Sequence, residues 1–274
     1  MYRLLKIEWK KIFFHKANRI FYSLYFLMIM GIILFMPYIK PSINGENIDL
    51  IQFGLFNTPF IWNNIAYIMS FGKLLLAIIV ISNVTMEFNH GTYKQNIIDG
   101  FSKKEFFFSK WLSAVLLSLI SAFIVGIMIF IVASIYNPMT GILVNSSYIF
   151  ALFIEYLGFI SIALLLAFLF KRSIFAILSL FVWNILEGII QIIEFVFRKL
   201  TVSDNNHIEA LSNYLPLKSN GNIINLPKFD LVQYLTEGSI FKETTVDFSY
   251  VIASFFYFII FSFFTYLLIK KRNA

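Results

Sequence analysis

Phe248-Ser-Tyr-Val-Ile-Ala-Ser-Phe-Phe-Tyr-Phe-Ile-Ile-Phe-Ser-Phe-Phe-Thr-Tyr-Leu-Leu-Ile269 is a run of 22 residues without a charge, closed by Lys270, Lys271 and Arg272. As an α-helix it rises about 33 Å, which matches a bilayer hydrocarbon core of about 30 Å. The rest of the 274-residue chain repeats the pattern, with long charge-free runs separated by clusters of Lys and Arg. Hydrophobic residues make up 59% and aromatic residues 19%, but charged residues only 14%, against about 25% in a soluble domain. Water cannot be the main solvent for such a surface. By the same measure spans are expected near 20–38, 62–86, 111–136, 148–170, 174–197 and 248–269. The expected fold is all-α, a polytopic membrane protein with six transmembrane helices. It forms one membrane domain over 20–274, preceded by an interfacial amphipathic helix over 1–19.

The turns follow from local chemistry. Trp111 to Ile154 has no charge and is too long for one crossing, and Asn137-Pro138, Gly141 and Asn145-Ser146-Ser147 supply the reversal it needs. Lys171-Arg172 separates the fourth and fifth spans so briefly that those helices must form an antiparallel hairpin. Orientation follows from Lys and Arg. Residues 1–19 carry six, the 87–110 loop four, the Lys171-Arg172 turn two and the tail three, whereas the opposite side has Lys40 and five in the long 198–247 loop. Long loops count weakly in this rule, so both termini are expected in the cytoplasm. The 198–247 loop is then external, and Pro216, Pro227 and its Asn-rich stretch point to short helices and turns. The net charge of +7 flanks apolar runs instead of forming a nucleic-acid patch. Without cysteine there is no disulfide or thiolate site. The amino terminus has a basic segment before an apolar one, but the apolar run is of spanning length and no small-x-small cleavage site follows, so it is expected to stay in the mature protein.

In residues 1–18, Tyr2, Leu5, Trp9, Ile12 and Phe13 share one helical face, while Arg3, Lys6, Lys10 and Lys11 lie mostly off it. Such a helix lies in the headgroup plane, either as a plain topology anchor or as an elbow that also borders a cytoplasmic partner. The 87–110 loop is more informative. Thr92-x-x-Gln95 and Ser102-x-x-Glu105 are successive capping-box patterns, and Gly100 stands where a helix would stop. The pattern predicts a short helix over Thr92–Asp99 held outside the membrane. A helix of one or two turns is marginal alone in water and needs something to pack against, a partner protein or the rigid frame of its own loop.

The pattern Glu87…Gly91-Thr92…Gln95…Gly100-x-Ser102-Lys103…Ser109-Lys110 after a second span resembles the permease subunits of bacterial type-2 ABC exporters. Leu4-Leu5-Lys6-Ile7-Glu8-Trp9-Lys10-Lys11 before the first span is similar to that family's elbow helix, and six spans with cytoplasmic termini fit it along essentially the whole chain. The resemblance implies a multi-pass permease of the bacterial plasma membrane, a homodimer before a heterodimer, exporting a lipid, peptide or drug-like substrate. It also implies that Thr92, Tyr93, Lys94, Gln95, Asn96, Ile97, Ile98 and Asp99 form a coupling helix seated in a separate ATPase subunit. ATP and magnesium would belong to that partner and no cofactor to this chain. The residues agree, since the Gly72-Lys73 pair is followed by Leu74 and cannot complete a phosphate-binding loop.

Lys73, Glu155 and Glu187 interrupt expected spans, where a charge costs at least about 2.5 kcal/mol. Counted from the external ends they lie about 17, 10 and 15 Å deep, levels close enough for Lys73 to pair with either carboxylate. Asn184, Glu187, Gln191 and Glu194 recur at intervals of three, four and three and form one polar stripe on the fifth span. That stripe must face protein or water, as an interhelical network or as a wall of a transport pathway. Asn83 and Glu87 lie one turn apart, placed to brace the 92–99 helix or to be solvated at the interface, and Trp62 and Trp111 read as interfacial belt residues. The alternative function is an ion- or proton-coupled secondary transporter using Lys73, Glu155 and Glu187, although the repeats and half-helices typical of that class are not evident. A third reading is a membrane anchor or immunity protein that only binds a partner, which ATPase stimulation would separate. An intramembrane enzyme is disfavoured, because His15, His90 and His207 fall outside the spans and no metal-ligand motif occurs.

Overall fold

The computed structural model describes residues 8, 10, 16–35, 38, 42–43, 46–47, 55–58, 60–138, 141–201, 210–229, 241–242 and 245–271. Among these the fold is helical. Its extended pieces are two antiparallel two-residue pairs, β1 (Ser42–Ile43) with β2 (Glu46–Asn47), and β3 (Lys228–Phe229) with β4 (Phe241–Lys242). Five stretches are long and apolar enough to cross a membrane: Phe60–Asn89, Lys103–Tyr136, Ser147–Phe170, Ser173–Lys199 and Phe248–Lys271. The architecture is that of a multi-pass helical membrane protein.

The stretch expected as the first span holds α1 (Lys16–Phe35), which begins inside the stretch expected to lie in the interface and is not among those five. Of that interfacial helix only Glu8, Lys10 and residues 16–19 are described; the faces assigned to Tyr2, Leu5, Trp9, Ile12, Phe13, Arg3, Lys6 and Lys11 lie outside the described residues. The second expected span falls within the Phe60–Asn89 stretch, which consists of two helices, α2 (Phe60–Ser70) and α3 (Lys73–Asn89), interrupted at Phe71-Gly72. Gly72 N donates to Met69 O at 2.9 Å, and Tyr156 Oη reaches the same carbonyl at 2.7 Å. Tyr25 packs so close to Gly72 that an added Cβ would lie 2.6 Å from its ring. Lys73 is therefore the first residue of α3 and not a mid-helix charge.

Helix α4 (Thr92–Ile98) and helix α5 (Lys103–Tyr136) follow. The Ser102 capping box is present, with Glu105 N donating to Ser102 Oγ at 3.2 Å and Ser102 N donating to Glu105 Oε2 at 2.9 Å. The Thr92 capping box is not. Gly91, at φ 69°, is the residue that opens α4, and Thr92 Oγ1 donates instead to Glu87 O at 3.2 Å. The left-handed turn at Gly91 already reverses the chain, so Thr92 enters with its hydroxyl pointing back at α3. Asp99, expected as the last helical residue, is the C-cap, and Gly100 takes φ 95°.

The reversal after α5 lies where expected, with Gly141 and Asn145 both at positive φ. Asn137 fastens it, accepting from Thr58 N at 2.9 Å and donating to Phe56 O at 2.7 Å. Trp62 is not a belt residue: it is buried, and its indole donates to Ile142 O at 2.7 Å. Trp111 is half-buried and donates to Ser262 Oγ at 2.9 Å, which ties its helix to the last span.

Helix α6 (Ser147–Phe170) is the axis of the bundle. It is largely apolar all round with Glu155 its one charge, as suits a helix at the centre of a membrane bundle, and 78% of its spanning stretch is buried. Lys171, at φ 60°, turns the chain directly into α7 (Ser173–Thr201), which packs on α6 as the expected hairpin. Helix α7 and the last helix, α9 (Phe248–Lys271), are only 17% and 22% buried and form outer walls. Between them the chain makes a 3₁₀ turn (Leu211–Tyr214) and α8 (Pro216–Gly221), the short helices expected before the last span. Leu217, Ser219, Asn220, Ile223 and Ile224 are buried, so this segment is driven into the bundle.

Gly158 permits that insertion. Asn220 Nδ2 donates to Glu155 O at 2.8 Å, and a Cβ on Gly158 would stand 2.6 Å from that nitrogen. Gly158→Ala is expected to lower stability in detergent by about 1–3 kcal/mol through overpacking. Gly188→Ala, where a Cβ meets nothing within 4 Å, is the control and should be neutral or stabilising in a melting curve.

Candidate functional site

Two polar layers interrupt the apolar bundle, one beside α4 and one at the opposite end of α3.

At the α4 end, Lys110 is buried and its ammonium contacts two buried carboxylates, Glu8 Oε2 and Glu87 Oε1, each at 2.5 Å. Asn83 Nδ2 donates to Glu8 Oε2 at 3.4 Å. Glu87 is thus a brace and not a solvated interface residue. The triad ties the amino-terminal segment to the end of α3 and the start of α5, and through the Thr92 bond to Glu87 O it reaches the root of α4. Sequence reasoning saw Glu87 and Asn83 but missed Glu8 and Lys110. Local context made each of those two one more charge in a basic segment, with partners 102 and 23 residues apart.

Above the triad, Phe88, Tyr93, Phe106 and Phe168 form an aromatic cluster from α3, α4, α5 and α6. Tyr93 lies 5.0 Å from Phe88 and 4.8 Å from Phe106, centroid to centroid. Tyr93 is the inward anchor of α4, Asn96 and Ile97 are half-buried, and Thr92, Lys94, Gln95, Ile98 and Asp99 are exposed. Ile98 is 83% exposed at the helix tip.

At the other end, Lys73 pairs with Glu155 at 2.5 Å, and Glu155 is fully buried. Lys73 does not pair with Glu187. That carboxylate is buried and accepts from Leu217 N at 3.0 Å, Lys218 N at 2.9 Å and the Trp183 indole at 2.7 Å. It caps the first turn of α8, supplying acceptors for amides that have no partner inside the helix. Two turns along, Glu194 does the same for the 3₁₀ turn, accepting from Leu211 N at 2.8 Å and Ser212 N at 2.7 Å, and Arg198 pairs with it at 3.1 Å. Gln191, between them, donates to Asn213 Oδ1 at 3.3 Å. The stripe Glu187, Gln191 and Glu194 is therefore a rail on which the segment 211–221 is hung. Asn184, the fourth member, is exposed and lines a cavity with Lys73 and Lys218.

Chemically, the α4 end offers a rigid knob with an apolar tip, and the opposite end offers a buried ion pair beside a cation-lined cavity. No family model, no curated protein and no solved structure matches this chain, so both sites are interpreted from their own geometry.

Proposed function

We propose that this chain is the membrane-spanning permease subunit of a bacterial ATP-driven exporter of the type-2 ABC kind, working with a separate ATPase subunit that holds ATP and magnesium. In this reading α1 is the first of six spans, both termini and α4 lie in the cytoplasm of a bacterial cell, and two copies of the chain form the transporter. The observation that carries it is α4. A seven-residue helix has no stability of its own, yet Tyr93 locks it into the aromatic cluster while Gln95 and Ile98 point away from the bundle. With Ile98 exposed at its end, the knob offers a partner subunit an apolar tip to seat. The Glu8–Lys110–Glu87 triad at its root supports a mechanical role, since a push on α4 is passed to α3, α5 and the amino-terminal segment together. The rail of Glu187, Gln191 and Glu194 favours a packing role for the stripe over a pathway wall.

Copurification tests the reading. Gln95→Asp with Ile98→Asp places charge on the exposed face and leaves Tyr93 in its cluster. An ATP-binding subunit should copurify with the wild-type chain and be lost from the double variant, while membrane insertion stays intact. Undiminished association would remove the coupling role of α4.

A further inference from the structure

Neither the ATPase knob nor the packing rail uses the cavity between α3, α6, α7 and α8. Its volume is about 370 Å³, at the small end of the range of small-molecule sites. Its polar lining is Lys73, Asn184, Lys218 and Asn222, with no carboxylate side chain on its walls among the described residues. The nearby acids are spent elsewhere: Glu155 faces Lys73, and both oxygens of Glu187 accept from backbone amides of α8. Lys218 has no carboxylate in salt-bridge range among the described residues. With Lys73 compensated by Glu155, Lys218 leaves one positive charge on the described walls, flanked by the amide donors of Asn184 and Asn222, a set that recognises an anionic oxygen cluster through charge-assisted hydrogen bonds.

The cavity does not end at its polar walls. Through Leu74, Leu180 and Phe181 it shares lining with a purely apolar groove between α3 and α7 that continues past Ile78 and Ile177 to Ile81. From Leu74 to Ile81 the groove descends about 10 Å towards the α4 end. Phe71 and Phe181 at the mouth are half exposed, so it opens sideways on the outer surface of the bundle. A charged head above and an apolar slot below, open to the side, match a ligand with one anion and a chain, oriented as a lipid of the leaflet opposite α4.

We infer that this is a binding site for an anionic phospholipid entering from the bilayer, its phosphate between Lys73 and Lys218 and an acyl chain along the groove. The inference rests on the chain being embedded in a membrane and not on α4 docking an ATPase, so it is tested on the purified chain alone. Native mass spectrometry in detergent with equal phosphatidylglycerol and phosphatidylcholine should show the anionic lipid retained about fivefold over the zwitterionic one, the preference expected from one lysine near a lipid phosphate. Lys218→Met should abolish the preference without shifting the melting temperature, since that side chain makes no ion pair among the described residues. Ile78→Trp, which fills the groove, should lower retention of phosphatidylglycerol. Inorganic phosphate in large excess should not displace the lipid; displacement would reduce the site to a bare anion pocket and overturn the lipid assignment. Equal retention of the two lipids by the wild type, or an unchanged preference in Lys218→Met, would also overturn it. Loss or retention of ATPase copurification is measured separately and leaves this result untouched.

Discussion

Lys110→Met is expected to be the most damaging single substitution in the chain. It leaves Glu8 and Glu87, 4% and 2% exposed, facing each other without the ammonium that both contact. Removing one partner of a buried ion pair typically costs about 3–5 kcal/mol, because the remaining charge is neither solvated nor paired. Here two buried carboxylates lose their shared ammonium through one substitution, so the loss should reach the top of that range. It is read as a lower melting temperature in detergent and faster amide exchange over residues 92–98, whose root is tied to Glu87 O. Adding Glu8→Gln and Glu87→Gln to Lys110→Met should recover much of the stability, since a neutral hydrogen-bonding set has no buried charge to compensate. A melting temperature for Lys110→Met equal to that of the wild type would show that the two carboxylates do not depend on Lys110.

The second large effect is expected at Lys73 and Glu155. Either Lys73→Met or Glu155→Gln breaks the pair and should cost about 3–5 kcal/mol, while the double substitution should recover part of that loss. The coupling energy of such a cycle is the direct measure of the contact. A parallel cycle of Lys73→Met with Glu187→Gln should be additive, because Glu187 is engaged by Leu217 N, Lys218 N and Trp183 and not by Lys73. Coupling in the second cycle with none in the first would invert the assignment. If the proposed permease reading holds, the rescued double variant also separates two roles in the assembled complex. Continued export would make the pair a packing device, whereas ATP hydrolysis without export would put it in the pathway.

The sequence by itself determined what local chemistry can specify. Charge-free runs of spanning length placed the long helices, Ser102 and Glu105 placed the start of α5, Gly100 the end of α4, and Lys171-Arg172 the tight hairpin. Spacings of three and four put Glu187, Gln191 and Glu194 on one face of α7, and the structure keeps them there. Even locally there were limits. Thr92 lost its expected capping role because the positive φ at Gly91 opens the helix one residue earlier. The span expected over 62–86 is broken at Gly72 because Tyr25 and Tyr156 come from distant helices to occupy the break.

Only the tertiary structure decided which charges meet. Lys110 with Glu8, Lys73 with Glu155, and Glu187 with the amides of α8 are separated by 102, 82 and 30 or 31 residues. Depth counted along a helix put Lys73 level with both Glu155 and Glu187, but it carries no information on the rotation of one helix against its neighbour. That rotation is set by close packing around Gly72 and Gly158, where contact between side chains of different helices fixes the fit. In a low-dielectric interior a carboxylate must accept whatever donor this fit brings to it. For Glu187 the donors are the open amides of a short helix that begins about 30 residues further along the chain.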